Sequence, residues 1–445
     1  MYTLNVYPDR SVGQIKDLHG VGGGPVTNHF TYDATKDFRE AGIPFCRTHD
    51  IEYPFGAGEF VDIHCVFRDF AKDENDPASY NFTFTDEYLK AIAAAGARPF
   101  FRLGTTIEHQ PIKLYIHPPA DYEKWGRICS RIISHYNDGW ADGFHMGIEY
   151  WEIWNEPDIA PCWTGTREQF IDLYAAAAPI IKREHPDVKV GGCAWACGHG
   201  EFAGQWLASV RDRALPMDFY SWHIYCSRPE NFKEAAEKTG ALLAEYGFQD
   251  VEQILNEWNY AIWSDRLQRC YDLHKTAFEC AFMAAMMSSF QDSAVSKAMY
   301  YDAQMLMSGY WNGVFAPVAQ RMHAGKRVPA RLPGYYALRS WNDLKRLGVQ
   351  IAVTTDCADL YATAARGEDG GVALLLSYFN DDAGYGEQAP PDADIVIECP
   401  GVSGWTAYVT DDDRTFSPVC VKNGVLTLKG NSCAMLYADP CPQRG

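Results

Sequence analysis

Apolar and polar positions change rhythm along this chain in a way that predicts two architectures in succession. From about residue 16 to 345, short apolar runs of strand length alternate with longer stretches whose apolar residues recur every three or four positions. The runs lie at residues 44–48, 98–102, 149–154, 188–192, 219–222, 253–256 and 297–301, with a first one near 16–20. Between them, residues 86–95 put Tyr88, Leu89, Ile92 and Ala95 on one helical face. Residues 122–136 do the same with Trp125, Ile128, Ile132, Ile133 and Tyr136. Residues 167–184 carry Phe170, Leu173, Tyr174, Ala177, Ile180 and Ile181 behind Thr166 as N-cap. Strand then helix, eight times over, is the requirement of a closed parallel (β/α)8 TIM barrel, here placed at 16–347. An open doubly wound sheet alternates in the same way, and periodicity does not separate the two.

After Gly348 the rhythm becomes short runs with turn residues between them, at 349–353, 360–364, 371–378, 394–398, 405–409, 424–428 and 433–437. Residues 411–414 and 422–424 read as tight turns. This predicts a C-terminal β-sandwich domain over 348–445, which would brace the barrel and is the place for contacts in a homo-oligomer. Residues 2–7 form another strand-like run, and segment 1–15 is expected to join that sandwich. The apolar run 282–287 is too short for a membrane span and sits in a helical pattern.

Composition narrows the chemistry. The 445 residues include 39 Lys and Arg against 58 Asp and Glu, a formal net charge of −19, which disfavours nucleic acid and anionic membrane surfaces as partners. The 14 Cys show no CxxC, and the nearest pair, Cys193 and Cys197, lacks a second pair to complete a zinc site. They read as small buried hydrophobes in a reducing compartment. The 13 His contain no HExxH, so no metal and no organic cofactor is expected. The first residues show neither a basic head nor an apolar stretch, so the expected location is cytoplasmic. Gly20-Val21-Gly22-Gly23-Gly24 superficially suggests a nucleotide loop, but Pro25 follows and no helix opens.

Two segments carry candidate chemistry. Tyr150-Trp151-Glu152-Ile153-Trp154-Asn155-Glu156-Pro157-Asp158 and Gln253-Ile254-Leu255-Asn256-Glu257-Trp258-Asn259-Tyr260 each run from an apolar strand into Asn-Glu. Barrel active sites form at the C-terminal strand ends, so Glu156 and Glu257 are expected to face each other across one mouth. A carboxyl desolvated among aromatics stays protonated, while one fixed by hydrogen-bond donors stays ionised. Acid-assisted glycoside cleavage needs that pair of environments. His223 and Tyr225 at the sixth strand end, and Asp302 at the eighth, are further candidates around the same mouth. Of the tryptophans able to stack on sugar faces, Trp263 is the best placed for the pocket, whereas Trp151 reads as core.

Trp154-Asn155-Glu156-Pro157 at a fourth strand resembles the acid/base signature of the clan of retaining (β/α)8 glycoside hydrolases, whose nucleophile ends the seventh strand, where Asn256-Glu257-Trp258 falls. Arg47-Thr48-His49, Tyr80-Asn81-Phe82, Ala95 to Phe100, Phe219 to Tyr225 and Pro333 to Leu338 are most similar to glycoside hydrolase family 39, the β-xylosidase and α-L-iduronidase family. The resemblance implies Glu156 as general acid/base, Glu257 as nucleophile, and Asn155 and His49 as sugar contacts. It also implies a retaining exo-glycoside hydrolase, most like a β-xylosidase, acting on oligosaccharides or plant-type glycans. An arabinosidase, galactosidase or endo-glycanase of the clan, or a non-catalytic carbohydrate-binding barrel, stay open as alternatives. Two departures bear on the substrate. Arg102-Leu103-Gly104 stands where xylosidases of the family often have Glu-Leu-Gly, so Arg102 either binds a carboxylate-bearing sugar or pairs with Glu108 or Glu152. Tyr225 stands where iduronidases carry a basic residue, which argues against that activity.

Overall fold

The computed structural model describes residues 1–25, 27–28, 32–51, 60–106, 113–303, 310–323 and 326–439. Eight parallel strands, Asp17–Gly22, Phe45–Arg47, Arg98–Leu103, Tyr150–Ile153, Lys189–Trp195, Phe219–Cys226, Glu252–Tyr260 and Val295–Tyr300, follow one another around a ring. The eighth pairs with the first, Lys297 opposite Asp17 and Met299 opposite Gly20, and this closure excludes the open sheet. Every strand foreseen in the barrel is present. Inside, Phe45, Phe100, Tyr150, Phe219, Ile254 and Met299 form one apolar layer. The wall tolerates no side chain at Gly191, where a Cβ would come within 2.3 Å of the Phe219 carbonyl oxygen. Below that layer, at the N-terminal strand ends, Glu252 accepts hydrogen bonds from the Tyr150 hydroxyl at 2.9 Å and the Lys189 ammonium at 3.0 Å, and pairs with Lys297.

The helices form where the periodicity places them: Thr83–Ala94, Tyr122–Asn137 and Arg167–Glu184. Thr166 caps the last of these through a full capping box, its hydroxyl accepting from the Gln169 amide at 3.1 Å and its own amide donating to the Gln169 side chain at 2.8 Å. Helix Ala277–Gln291 is buried along its whole length, which is why its apolar run covers every face. It lies between the barrel and a second sheet: Ser377 donates to the Ala281 carbonyl at 2.7 Å, and the Phe278 and Phe379 rings sit 5.2 Å apart. Among the described residues no helix is long and apolar enough to cross a membrane.

That second sheet has nine strands, in the order Arg414–Cys420, Trp405–Asp411, Ser432–Ala438, Val372–Tyr378, Leu360–Arg366, Val349–Thr355, Tyr2–Gln14, Ala393–Glu398 and Val425–Leu428. Residues from both ends of it, such as Val409, Leu436, Ile395 and Leu426, share one buried cluster, the core of a sandwich. Tyr2–Gln14 pairs antiparallel with Val349–Thr355 and parallel with Ala393–Glu398, so the first and last thirds of the chain meet in this sheet. Two features were not foreseen. Strand Arg414–Cys420 follows the turn at 411–414, yet it buries no residue, so no apolar alternation marks it. A small four-stranded sheet of Thr27–Asn28, Tyr32–Asp33, Phe315–His323 and Lys326–Arg331 also forms, from runs broken by Pro317 and Pro329.

Candidate active site

The fourth barrel strand ends at Ile153, and the backbone then takes left-handed conformations at Trp154 (φ 73°) and Glu156 (φ 46°). Such angles cost side-chain-bearing residues on the order of 1–3 kcal/mol each and persist where the surroundings enforce them. Here the Trp154 amide donates to the Leu103 carbonyl at 2.7 Å, and the Glu156 amide to the Ala194 carbonyl at 3.0 Å. The kink thus ties the Asn155-Glu156 elbow to both neighbouring strands. Glu257 arrives differently. Its strand continues to Tyr260 rather than stopping at Asn256, and the register against the sixth strand shifts between Leu255 and Glu257. A bulge of this kind re-aims the side chain that follows it.

The two carboxylates meet. One oxygen from each, together with a ring nitrogen of His223, lie within 4.8 Å of one another. All three residues line a cavity of about 390 Å³, with Tyr225, Trp263, Tyr301, Trp311, Cys197 and His199 among its walls. Their partners differ. Glu257 accepts from the Arg47 guanidinium at 2.9 Å and from the Tyr225 hydroxyl at 2.5 Å. Glu156 meets His223 Nδ1 at 2.8 Å and the Cys162 thiol at 3.7 Å. Burial, aided by the negative charge of Asp158, pushes the Glu156 carboxyl up to about 8 against the pull of Arg47, so it is protonated at neutral pH. Burial pushes Glu257 upward too, with Glu156 adding to the rise, while His223, Arg47 and Tyr225 oppose it. Burial drives the His223 imidazole down to about 4, against the pull of Glu257.

Arg47, on the second strand, organises the floor. Besides Glu257 it reaches Glu152 at 2.8 Å and the Asn155 side-chain oxygen at 2.7 Å, and it is buried. Glu152 also accepts from Ser221 at 2.6 Å and Asn256 at 2.5 Å. Asn155 is thereby held with its amide nitrogen buried and unpartnered among the described residues.

The family model of "Glycosyl hydrolases family 39" matches residues 2–308. The chain belongs to this family. A β-xylosidase from Geobacillus stearothermophilus is 26% identical over 308 residues, covering 62% of this chain and 56% of that protein, so the match spans little more than half the relative. Among solved structures, a glucosidase from Croceicoccus marinus superposes with a TM-score of 0.78 at 23% identity, covering 98% of each chain. A monomeric β-xylosidase from Caulobacter crescentus gives 0.69 at 15% identity, covering 98% of this chain and 99% of that one in shape. These structural likenesses speak for the fold.

The other candidates fall in two groups within this family-39 barrel. Glu156, Glu257, His223, Tyr225 and Trp263 line the cavity, and Asn155 is joined to it through Arg47. His49, Arg102 and Asp302 are buried and are not among its lining residues. Arg102 does not pair with Glu152, which Arg47 occupies; Glu108 lies outside the described residues. Its guanidinium pairs with buried Asp62, donates to Thr106 at 2.9 Å, and meets His49 Nδ1 at 3.2 Å. Trp151 is core, its indole nitrogen donating to the Ile148 carbonyl at 3.0 Å. Tyr301 and Cys162 were not singled out from the sequence, and Arg47 entered only within the motif Arg47-Thr48-His49, with no role given to it. Of these only Arg47 left a signal: an arginine inside an apolar strand needs a buried acidic partner.

Proposed function

We propose that this protein is a retaining exo-acting glycoside hydrolase of the β-xylosidase type. The observation that carries the reading is the approach of Glu156 and Glu257 within one cavity, with carboxylate oxygens inside 4.8 Å. Double displacement through a covalent intermediate works with carboxyl groups about 5–5.5 Å apart, whereas inversion needs about 6.5–9.5 Å to admit water. Glu156 gives its proton to the glycosidic oxygen while Glu257 attacks the anomeric carbon. The leaving group departs and a glycosyl ester on Glu257 remains. Glu156, now ionised, takes a proton from water; the water attacks the same carbon, and the sugar leaves with its configuration retained.

The surroundings fit these roles. Arg47 and Tyr225 favour the ionised nucleophile, and burial beside Asp158 favours the protonated acid. Asn155 offers its free amide to a sugar hydroxyl. A cavity near the small end of ligand pockets suits one terminal sugar better than the middle of a polymer. The β-xylosidase relative is the ground for naming a pentoside. Arg102, with its charge taken by Asp62, is proposed as a positioning residue behind His49 rather than a carboxylate receptor, so Arg102→Ala should weaken neutral and acidic glycosides alike.

Kinetics on aryl β-xylosides test the assignment. Glu257→Ala should lose turnover on every glycoside. Glu156→Ala should lose most on substrates with poor leaving groups, and azide should restore turnover and yield a β-glycosyl azide. Near-normal activity in the first variant, or no azide product in the second, removes that residue from its role.

A further inference from the structure

Trp263 is 63% exposed although it lines the cavity, with ring centroids 5.5 Å from Tyr225 and 5.9 Å from Trp311. It sits in segment 261–266, which has no helix or strand of its own. A large aromatic held open in a loop is useful only if something fixes it, and contacts from outside the barrel hold the residues that follow Trp263. In the second sheet, the loop after strand Val372–Tyr378 brings Tyr385 against the Trp263 segment. The Tyr385 and Ser264 hydroxyls are 2.6 Å apart, and the Arg266 guanidinium lies 4.1 Å from the Tyr385 ring centroid. Arg266 also pairs with Glu387, and Arg269 donates to the Tyr385 carbonyl at 3.2 Å. Tyr385 is itself anchored to the strand of Glu257. Its amide donates to the Tyr260 hydroxyl at 2.8 Å, and that hydroxyl donates to buried Asp381 at 2.6 Å. Tyr385 keeps a left-handed φ of 59°, a conformation such a residue holds only when its contacts impose it.

We infer that this loop of the second sheet is a positioning element for the leaving-group side of the pocket, with Tyr385 acting through Trp263. The inference rests on the glycosidase reading and adds a substrate feature to it. The tryptophan platform of Trp263 and Trp311 takes the apolar face of a second sugar ring or an aryl group, which stacks on indole.

Comparing xylobiose with β-xylosyl fluoride tests this, because the fluoride has no ring to place on the platform. Tyr385→Ala should raise KM for xylobiose about three- to tenfold, the worth of one aromatic stacking contact, with the fluoride unchanged. Tyr385→Phe, which keeps the ring under Arg266 and loses the Ser264 bond, should fall between. In a Trp263→Ala background Tyr385→Ala should add nothing, since both act at one place. Equal losses on both substrates, no loss on either, or additive losses would overturn the inference. If the wild-type protein turned over no glycoside, the functional reading itself would fail. The platform would still be read by quenching of tryptophan fluorescence with phenyl 1-thio-β-xyloside, expected for wild type and weakened in Tyr385→Ala; equal quenching in both would overturn it.

Discussion

A single guanidinium sets the charge balance of the site. Arg47 faces Glu152, Glu257 and Asn155 through three different nitrogens, so its removal leaves two buried carboxylates without their cation. Breaking such a group typically costs about 3–5 kcal/mol. Arg47→Ala should therefore lower the denaturant midpoint as well as abolish activity. Arg47→Lys should fail to restore turnover, because one ammonium cannot serve three separated acceptors. Glu156 supplies a second test at this scale. With its carboxyl raised to about 8, it is the protonated acid below that pH and loses the proton above it. The value of kcat/KM should fall as pH rises through about 8, and Glu156→Gln should remove that limb from the residual activity on an activated aryl glycoside. An unchanged alkaline limb would assign it to another group. Glu156 and Glu257 were legible because each ends an apolar run in Asn-Glu. The role of Arg47 was not, because its acidic partners lie 105 and 210 positions away in the chain.

At the scale of elements, the base of the barrel is locked by charge. Glu252 on the seventh strand is gripped by Lys189 and Lys297 from the fifth and eighth, and these lysines outweigh burial to hold its carboxyl down at about 2. A carboxylate depressed on folding stabilises the protein above its ordinary value near 4.5, and that stabilisation is lost as pH falls toward 2. The stability gap between wild type and Glu252→Gln should thus be open at neutral pH and close as the medium is acidified, read by denaturant midpoints at successive pH values. The elements themselves were readable wherever one face is buried. Arg167–Glu184 matches its apolar stripe and its Thr166 cap, and the barrel strands match their runs. Arg414–Cys420 escaped because an edge strand that buries nothing leaves no apolar periodicity to read.

Across the whole molecule, barrel and second sheet depend on one another. Helix Ala277–Gln291 presents apolar residues on all sides, and the sheet covers the side the barrel leaves. A barrel expressed as 16–347 should expose that face and aggregate, whereas the full chain stays monodisperse by light scattering; a soluble, active truncated barrel would refute the dependence. The amino-acid order by itself determined the succession of strands and helices, the two-part architecture and the identity of the paired glutamates, because periodicity and short motifs are local properties. Only the tertiary structure decided that the barrel closes, that Arg47 joins Glu152 to Glu257, that Arg102 answers to Asp62, and that Tyr385 meets Ser264 beside Trp263. Those depend on distances between residues far apart in the chain, and such distances are fixed by packing alone.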